Sequence, residues 1–340
     1  SSLVGSEMCI RDRYWSGHQI RLWENDLRDL RAAPFNTGPN ACFVAYFASA
    51  EFGCFRALGW PLPANTVDLF AEHRVLTNGT SLAHGNSLLG AARRYGIDTI
   101  GAEEKEAMRE LIMSGGPWSQ EERVAILDYC ASDVVLLRPL LEVMVPDLTA
   151  TQQRLGHAVW RGRYMGAVAT MEYHGIPIDT ATLDAINANW LDIQDKLIAE
   201  VDQAYRVYDG RTFKTDRFAA YLAANDIPWP RLDTGRLALD DGTFRTMARA
   251  YPQVSALREL RHALGGLRLN ALTVGSDGRN RTMLSPFRSK TGRNQPSNSK
   301  AIFGTAVWIR GLIKPEPGTA LAYLDFASQE SVSYTHLRAH

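Results

Sequence analysis

Between Ala41 and Phe70 the chain alternates two kinds of apolar pattern. The runs CFVAYF and TVDLF are short and β-prone, and the stretch between them has helical spacing before a Pro-containing turn, GWPLP. This order predicts strand, helix, strand. From Ser81 to Met144 the pattern leads one to expect helix over the whole stretch, with Leu82, Leu88, Leu89 and Ala92 at three- and four-residue spacing. Ser119 followed by Glu122 forms a capping box at the head of a long helix, which Pro146 is predicted to close. A further helix is expected from about Thr149 to His174, stopped by Gly175 and the G-I-P-I-D turn that ends at Asp179. Helical spacing returns from Thr180 to Tyr208. Turn clusters at Asp226–Pro230 and Asp233–Gly235 precede an amphipathic helix from Ala256 to Leu269, with Leu257, Leu260, Leu264 and Leu267 on one face. The last predicted element is a strand, Ala320–Phe326, apolar on both faces except for Asp325.

Composition bounds the class. The 340 residues are 45% hydrophobic and 22% charged, which excludes a disordered chain and leaves room for two or three domains. Four irregularly spaced cysteines suggest neither a disulfide framework nor a zinc site, and no apolar run approaches the roughly 20 residues that span a bilayer. The chain is therefore expected to be soluble and reduced, with no membrane partner. Its formal charge is zero, but the charges are segregated. From Phe244 to Lys314 thirteen Lys or Arg residues face only Glu259 and Asp277, a net +11, so the remainder carries −11. Such an excess repels itself unless an anion neutralises it, and duplex DNA supplies that charge density. A basic stripe on a helix is also what a solvated face looks like.

Two places carry candidate chemistry. Asp325, at the end of a strand expected to be buried on both sides, needs a helix to cap, an arginine partner or a divalent cation; magnesium accepts one or two carboxylates together with phosphate oxygens. Tyr129 and Asp133 form Y-x-x-x-D, which on a helix puts both side chains on one face. That arrangement suits a metal-dependent nuclease, with Asp as ligand and Tyr orienting water, and it equally suits a partly buried helix face.

The run IRGLIKPEPGTALAYLDFASQE, Ile309–Glu330, preceded by KTGRNQPS, Lys290–Ser297, resembles the start of the palm in family A DNA polymerases of the bacterial polymerase I and phage type. RGRYMGAVATMEYHGIPID, Arg161–Asp179, is similar to the helix and M-E-x-x-G turn that open their polymerase domain. Ala256–Leu269 is similar to the helix returning from thumb to palm. The resemblance implies that Asp325 is the first metal-binding aspartate of motif A, and that Glu330 lies under the incoming sugar and excludes a 2′-hydroxyl. It also implies that Arg293, Lys290 and Arg310 bind substrate. Phe326, Ala327 and Ser328 depart from the aromatic, Ser, Gln order that usually follows the aspartate. Upstream, Glu51 and Tyr129–Asp133 resemble motifs II and III of the four-acid 3′ to 5′ proofreading exonucleases, with Asp133 and Glu51 as metal ligands. Asp68 resembles the aspartate after the next strand and is assigned a structural role ahead of a catalytic one. The D-x-E strand of the first motif is missing, and two of four acids cannot hold two metals.

The fold class expected is α/β plus α: an incomplete ribonuclease H-like exonuclease domain at 14–150, an opening helix and helical thumb at 151–270, and the start of an α+β palm at 271–330. SSLVGSEMCIRDR and SVSYTHLRAH resemble translated sequencing-adapter read-through, so 1–13 and 331–340 are expected to be foreign to an internal fragment of a longer protein. The parent would be a monomeric, cytoplasmic enzyme of a bacterium or phage-infected host, using two Mg2+ ions, primer-template DNA and deoxynucleoside triphosphates. The rival readings are a non-catalytic DNA-binding module and a stand-alone exonuclease of the ribonuclease D type.

Overall fold

The computed structural model describes residues 20–98, 102–266, 272–296, 300–304 and 307–324. In chain order its elements are α1 (Glu24–Arg28), β1 (Phe43–Ala45), α2 (Ala48–Ala57), β2 (Thr66–Asp68), α3 (Leu69–Leu76), α4 (Leu88–Arg94), α5 (Ala102–Met113), α6 (Gln120–Thr149), α7 (Gln152–His174), β3 (Ile176–Pro177), α8 (Thr180–Ala188), α9 (Trp190–Val201), β4 (Tyr208–Asp209), β5 (Thr212–Phe213), α10 (Thr215–Ala224), α11 (Asp241–Ala250), α12 (Ser255–Gly266) and β6 (Arg279–Asn280). The architecture is mixed and helix-rich, with few and short strands. The chain divides into two units, one of Ser1–Gly175 with Thr273–Gly304 and one of Ile176–Leu272 with Thr305–His340.

In the first unit the expected strand, helix, strand order is present. β1 and β2 pair in parallel, with Phe43 opposite Thr66 and Ala45 opposite Asp68. Helix α7 lies directly on β2, and Gly162 allows this contact: a methyl at that position would stand 2.0 Å from the Thr66 carbonyl oxygen. One turn further along α7, Gly166 faces Leu62 and Phe52. A second tie is ionic. Arg161 of α7 donates two bonds, 2.6 and 2.7 Å, to the carboxylate of Glu72 on α3, whose side chain is only 1% exposed. The bidentate geometry satisfies a charge that would otherwise be stranded away from water.

The Ser119–Glu122 capping box heads α6 as predicted. Pro146 does not close that helix, however; α6 runs through Pro139 and Pro146 to Thr149. Leu140, Met144 and Leu148 recur every four residues and are buried in one core with Val67 and Ala158, and this burial outweighs the backbone bonds that two prolines remove.

The second unit contains an apolar core of Phe218, Leu222, Trp229, Phe244, Val254 and Leu257 with their neighbours. The α12 face is as predicted for Leu257 and Leu260, which are buried, and Leu264 packs at the margin; Leu267 lies outside the described residues. The expected strand at 320–326 differs. Residues 320–324 form no strand, and Tyr323 and Leu324 are each 91% exposed. A strand needs a neighbour to satisfy its N–H and C=O groups, and among the described residues none pairs with this segment.

Candidate functional site

Three acidic side chains of the first unit interact electrostatically: Asp68 at the end of β2 and Asp133 on α6 both act on Glu51 of α2. The carboxylate of Asp68 is fully buried and accepts four backbone N–H bonds, from Phe47 (3.0 Å), Ala48 (2.9 Å), Phe70 (2.9 Å) and Ala71 (3.4 Å). It therefore caps α3 and also holds the first turn of α2, where Phe47 is in the left-handed region at φ 74°. Burial nevertheless pushes its pKa up to about 6, against the lowering effect of the four N–H groups. Asp68 is committed to the backbone, which agrees with the structural role assigned to it.

Glu51, in the first turn of α2, is open to solvent yet crowded by protein atoms. Its carboxyl is pushed up first by desolvation, then by the negative charges of Asp133 and Asp68. The structure thus brings Glu51 and Asp133 near enough to feel each other, as the sequence spacing could not show. Tyr129 and Asp133 share one face of α6, and the Tyr129 phenol rises to about 12 through burial and then the Asp133 charge, so it remains a donor at neutral pH. The residue that sequence reasoning missed is Lys105 of α5. Its ammonium lies 2.7 Å from Asp133 Oδ1 and 5.6 Å from the centre of the Tyr129 ring. A lone lysine within A-E-E-K-E gives little signal of this role. Among the described residues no group of three or more His, Cys, Asp or Glu side chains is placed to hold a metal ion. Asp68 is filled by N–H groups, and Asp133 is paired with Lys105. Cys54 is held as a thiol, its pKa pushed up to about 12 by burial and by Glu51.

The M-E-x-x-G turn has a clear local logic. Glu172 accepts the Leu284 N–H at 2.6 Å, and its carboxyl is pushed up by burial. Gly175 adopts φ 62°, with the Asn280 carbonyl so close that a methyl would stand 2.7 Å from it. Arg281 donates to the Tyr173 carbonyl and Arg279 to those of His174 and Gly175. Asn280, also buried, donates to Thr273 and Lys300 carbonyls and accepts from the Ile302 N–H. The end of α7 thereby anchors the 273–304 segment, which carries Lys290 and Arg293. Both of these side chains are exposed, on a tight turn closed by the bond from Gly292 N–H to the Ser289 carbonyl. In the second unit Asp179 caps α8 and pairs with Lys314 at 3.0 Å, four residues beyond the exposed Arg310. Asp325 and Glu330 lie outside the described residues, as do Phe326, Ala327 and Ser328.

The +11 segment does not form one uniform surface. Asp241, just outside the counted window, takes Arg245 at 2.6 Å and Arg258 at 3.8 Å, and Arg281 is held by Asp277. Arg261 is inserted between aromatic rings, 4.2 Å from the centre of Phe213 and 4.6 Å from that of Phe244. These cations serve the fold. Between Gly278 and Lys300, by contrast, the sequence has six basic residues and no acid.

No helix of the described residues is long and apolar enough to cross a membrane. No family model matches the sequence, and no curated protein matches it. The fold is similar to a solved structure, the POL domain of Pol1 from M. smegmatis in complex with DNA primer-template and dNTP, with a TM-score of 0.53 at 16% sequence identity. The match covers 91% of this chain and 52% of that one, so the chain spans about half the length of the neighbour. The likeness establishes a polymerase-like fold.

Proposed function

We propose that this chain is part of a template-directed DNA polymerase of the family A type, and that the described part grips primer-template DNA through the basic segment anchored on the end of α7. The observation that carries the reading is the wiring of the M-E-x-x-G turn. Glu172, Gly175 and Asn280 together fix an acid-free loop that presents Lys290 and Arg293 to solvent. The polymerase-like fold and the palm-like sequence from Ile309 to Glu330 support it. In the complete polypeptide, magnesium would be held by Asp325 and would supply charge stabilisation during nucleotidyl transfer from a deoxynucleoside triphosphate. Glu330 would exclude ribonucleotides. In the first unit the Lys105–Asp133 pair favours a nuclease-like scaffold that supports DNA binding without hydrolysis.

The test is salt-dependent duplex binding together with primer extension. Replacing Lys290 and Arg293 by Ala should weaken binding across sequences and flatten the slope of log affinity against log salt by roughly 0.9 per lost phosphate contact. In the polypeptide that carries the remaining palm, Asp325→Ala should abolish magnesium-dependent extension and leave duplex binding intact. Binding with no salt dependence, or undiminished extension by the Asp325 variant, would overturn the assignment.

A further inference from the structure

Helix α7 presents an aromatic ladder that the proposed duplex grip does not use. Phe287 packs at the edge of the core formed by Ala45, Phe52 and Met165. Its ring meets Tyr164 edge-on at 5.6 Å, and Tyr164 in turn stacks on Trp160, the planes 14° apart and the centres 6.3 Å apart. The ladder thus rises from core to solvent, where Trp160 is 64% exposed. An indole left open at the end of a stacked column gains nothing for folding from its outer face, and that face matches a nucleobase.

The loop at the base of the ladder is held in an unusual form. Ser285 and Phe287 both adopt left-handed backbone, at φ 48° and 57°, which is an outlier for a bulky side chain. Arg74 clamps this turn, donating to the Pro286 carbonyl at 2.7 Å and to Ser285 Oγ at 3.3 Å. The neighbouring Arg288 lies close enough for its charge to lower the Arg74 pKa, after the larger effect of burial. Among the described residues no carboxylate pairs with Arg288. An exposed ring stack beside the Arg288 guanidinium has the composition of a single-strand platform, with bases stacking on the rings and phosphate meeting the cation, while Arg74, spent on the Pro286 carbonyl and the Phe70 ring, holds the turn in place.

We infer that the Trp160–Tyr164–Phe287 ladder, with Arg288 beside it, binds single-stranded DNA by base stacking. This rests on the polymerase reading, because a template-directed enzyme handles an unpaired strand as well as a duplex, and it adds a contact distinct from Lys290 and Arg293. Sequence preference is weak here, since every base offers a π-face.

The experiment uses fluorescence anisotropy of the 340-residue chain with two labelled probes, a twenty-nucleotide oligo-dT and a blunt duplex. Trp160→Ala should weaken oligo-dT binding about tenfold, the loss of one stacked base. It should leave duplex affinity unchanged, and Trp160→Phe should restore most of the loss. The Trp160→Ala ratio should be the same at low and moderate salt, whereas the Arg288→Ala ratio should shrink as salt rises. Trp160 is exposed, so loss of fold is not the expected cause of weakening, and an unchanged circular dichroism spectrum checks this. Equal weakening of duplex and oligo-dT by Trp160→Ala, or no weakening of either, overturns the ladder assignment and leaves the duplex grip standing. A folded chain that binds neither probe overturns both readings.

Discussion

In the first unit, segments far apart in sequence meet through buried polar groups in addition to apolar clusters. Asp68 holds two helix starts, Glu72 grips Arg161 across 89 positions, Glu172 takes the Leu284 N–H, and Asn280 joins its own turn to Thr273 and to the backbone at Lys300 and Ile302. In the second unit, the corresponding work is done by carbon. Phe218, Trp229 and Phe244 pack ring against ring at 4.8 to 5.5 Å, and polar atoms serve mainly to complete them, as when Trp229 Nε1 donates to the Ala238 carbonyl at 2.7 Å. The difference bears on function. Buried polar groups are costly unless paired and fix geometry closely when they are, whereas an apolar core tolerates repacking. The unit that carries the acidic cluster and the basic loop is the one whose backbone is held by directional bonds.

The comparison breaks most sharply at Glu72. Arg161→Ala leaves the carboxylate of Glu72, only 1% exposed, without its partner and should cost the first unit about 4 kcal/mol. Hydrogen exchange should show protection lost in α3 and α7 while α10 to α12 keep theirs; equal loss in both would mean that the two units do not open separately. Gly162→Ala comes next, at about 3 kcal/mol, because the obstructing atom is a strand carbonyl that cannot rotate away. Gly156, on the same helix with open space around it, is the control: Gly156→Ala should stabilise by about 0.5 kcal/mol through helix propensity. If the two alanines behave alike, the close packing of α7 on β2 is wrong.

Asp68 gives a pH signature. Its folded pKa of about 6 lies above the ordinary 3.8, so between these values the folded state holds a proton that the unfolded state has released. The contribution to stability is full below pH 4 and is lost as pH rises through 6, about 3 kcal/mol in all. A 13C titration of the Asp68 carboxyl that finds a midpoint below 4 would show that the four N–H bonds outweigh burial.

Much of this was legible along the chain, for identifiable reasons. The Ser119–Glu122 box, the Gly175 stop and the β1–α2–β2 order are local, set by residues within a few positions of one another, and all three are present. Local rules failed where packing at a distance decides. Pro146 should end a helix, but Leu140, Met144 and Leu148 hold it in place through contacts with β2 and α7. Residues 320–324 have the composition of a strand and lack one beside them among the described residues. For the candidate site, Y-x-x-x-D put Tyr129 and Asp133 on one face correctly, whereas Lys105 comes 28 positions earlier on another helix and could not be paired by spacing. Charge counting exposed the basic segment but could not separate its members, because Asp241 fell just outside the window.

That separation supplies the smallest and most discriminating effect. Arg261 belongs by sequence to the same basic run as Lys290 and Arg293, yet its guanidinium lies over Phe213 and Phe244 and donates to the Leu239 carbonyl at 3.2 Å. Partly desolvated between two rings, it should contribute about 2 kcal/mol to the second unit. Arg261→Ala should therefore lower the denaturation midpoint of that unit while the salt slope of duplex binding stays as it was. Arg261→Lys should fall between, since an ammonium keeps the charge but loses the planar face that stacks. The Lys290 and Arg293 double variant should show the opposite pattern, an altered salt slope with stability nearly intact. If Arg261→Ala flattens the salt slope while the denaturation midpoint holds, the second unit's basic residues face phosphate after all, and the division of the run into fold-serving and DNA-serving cations fails at its clearest member.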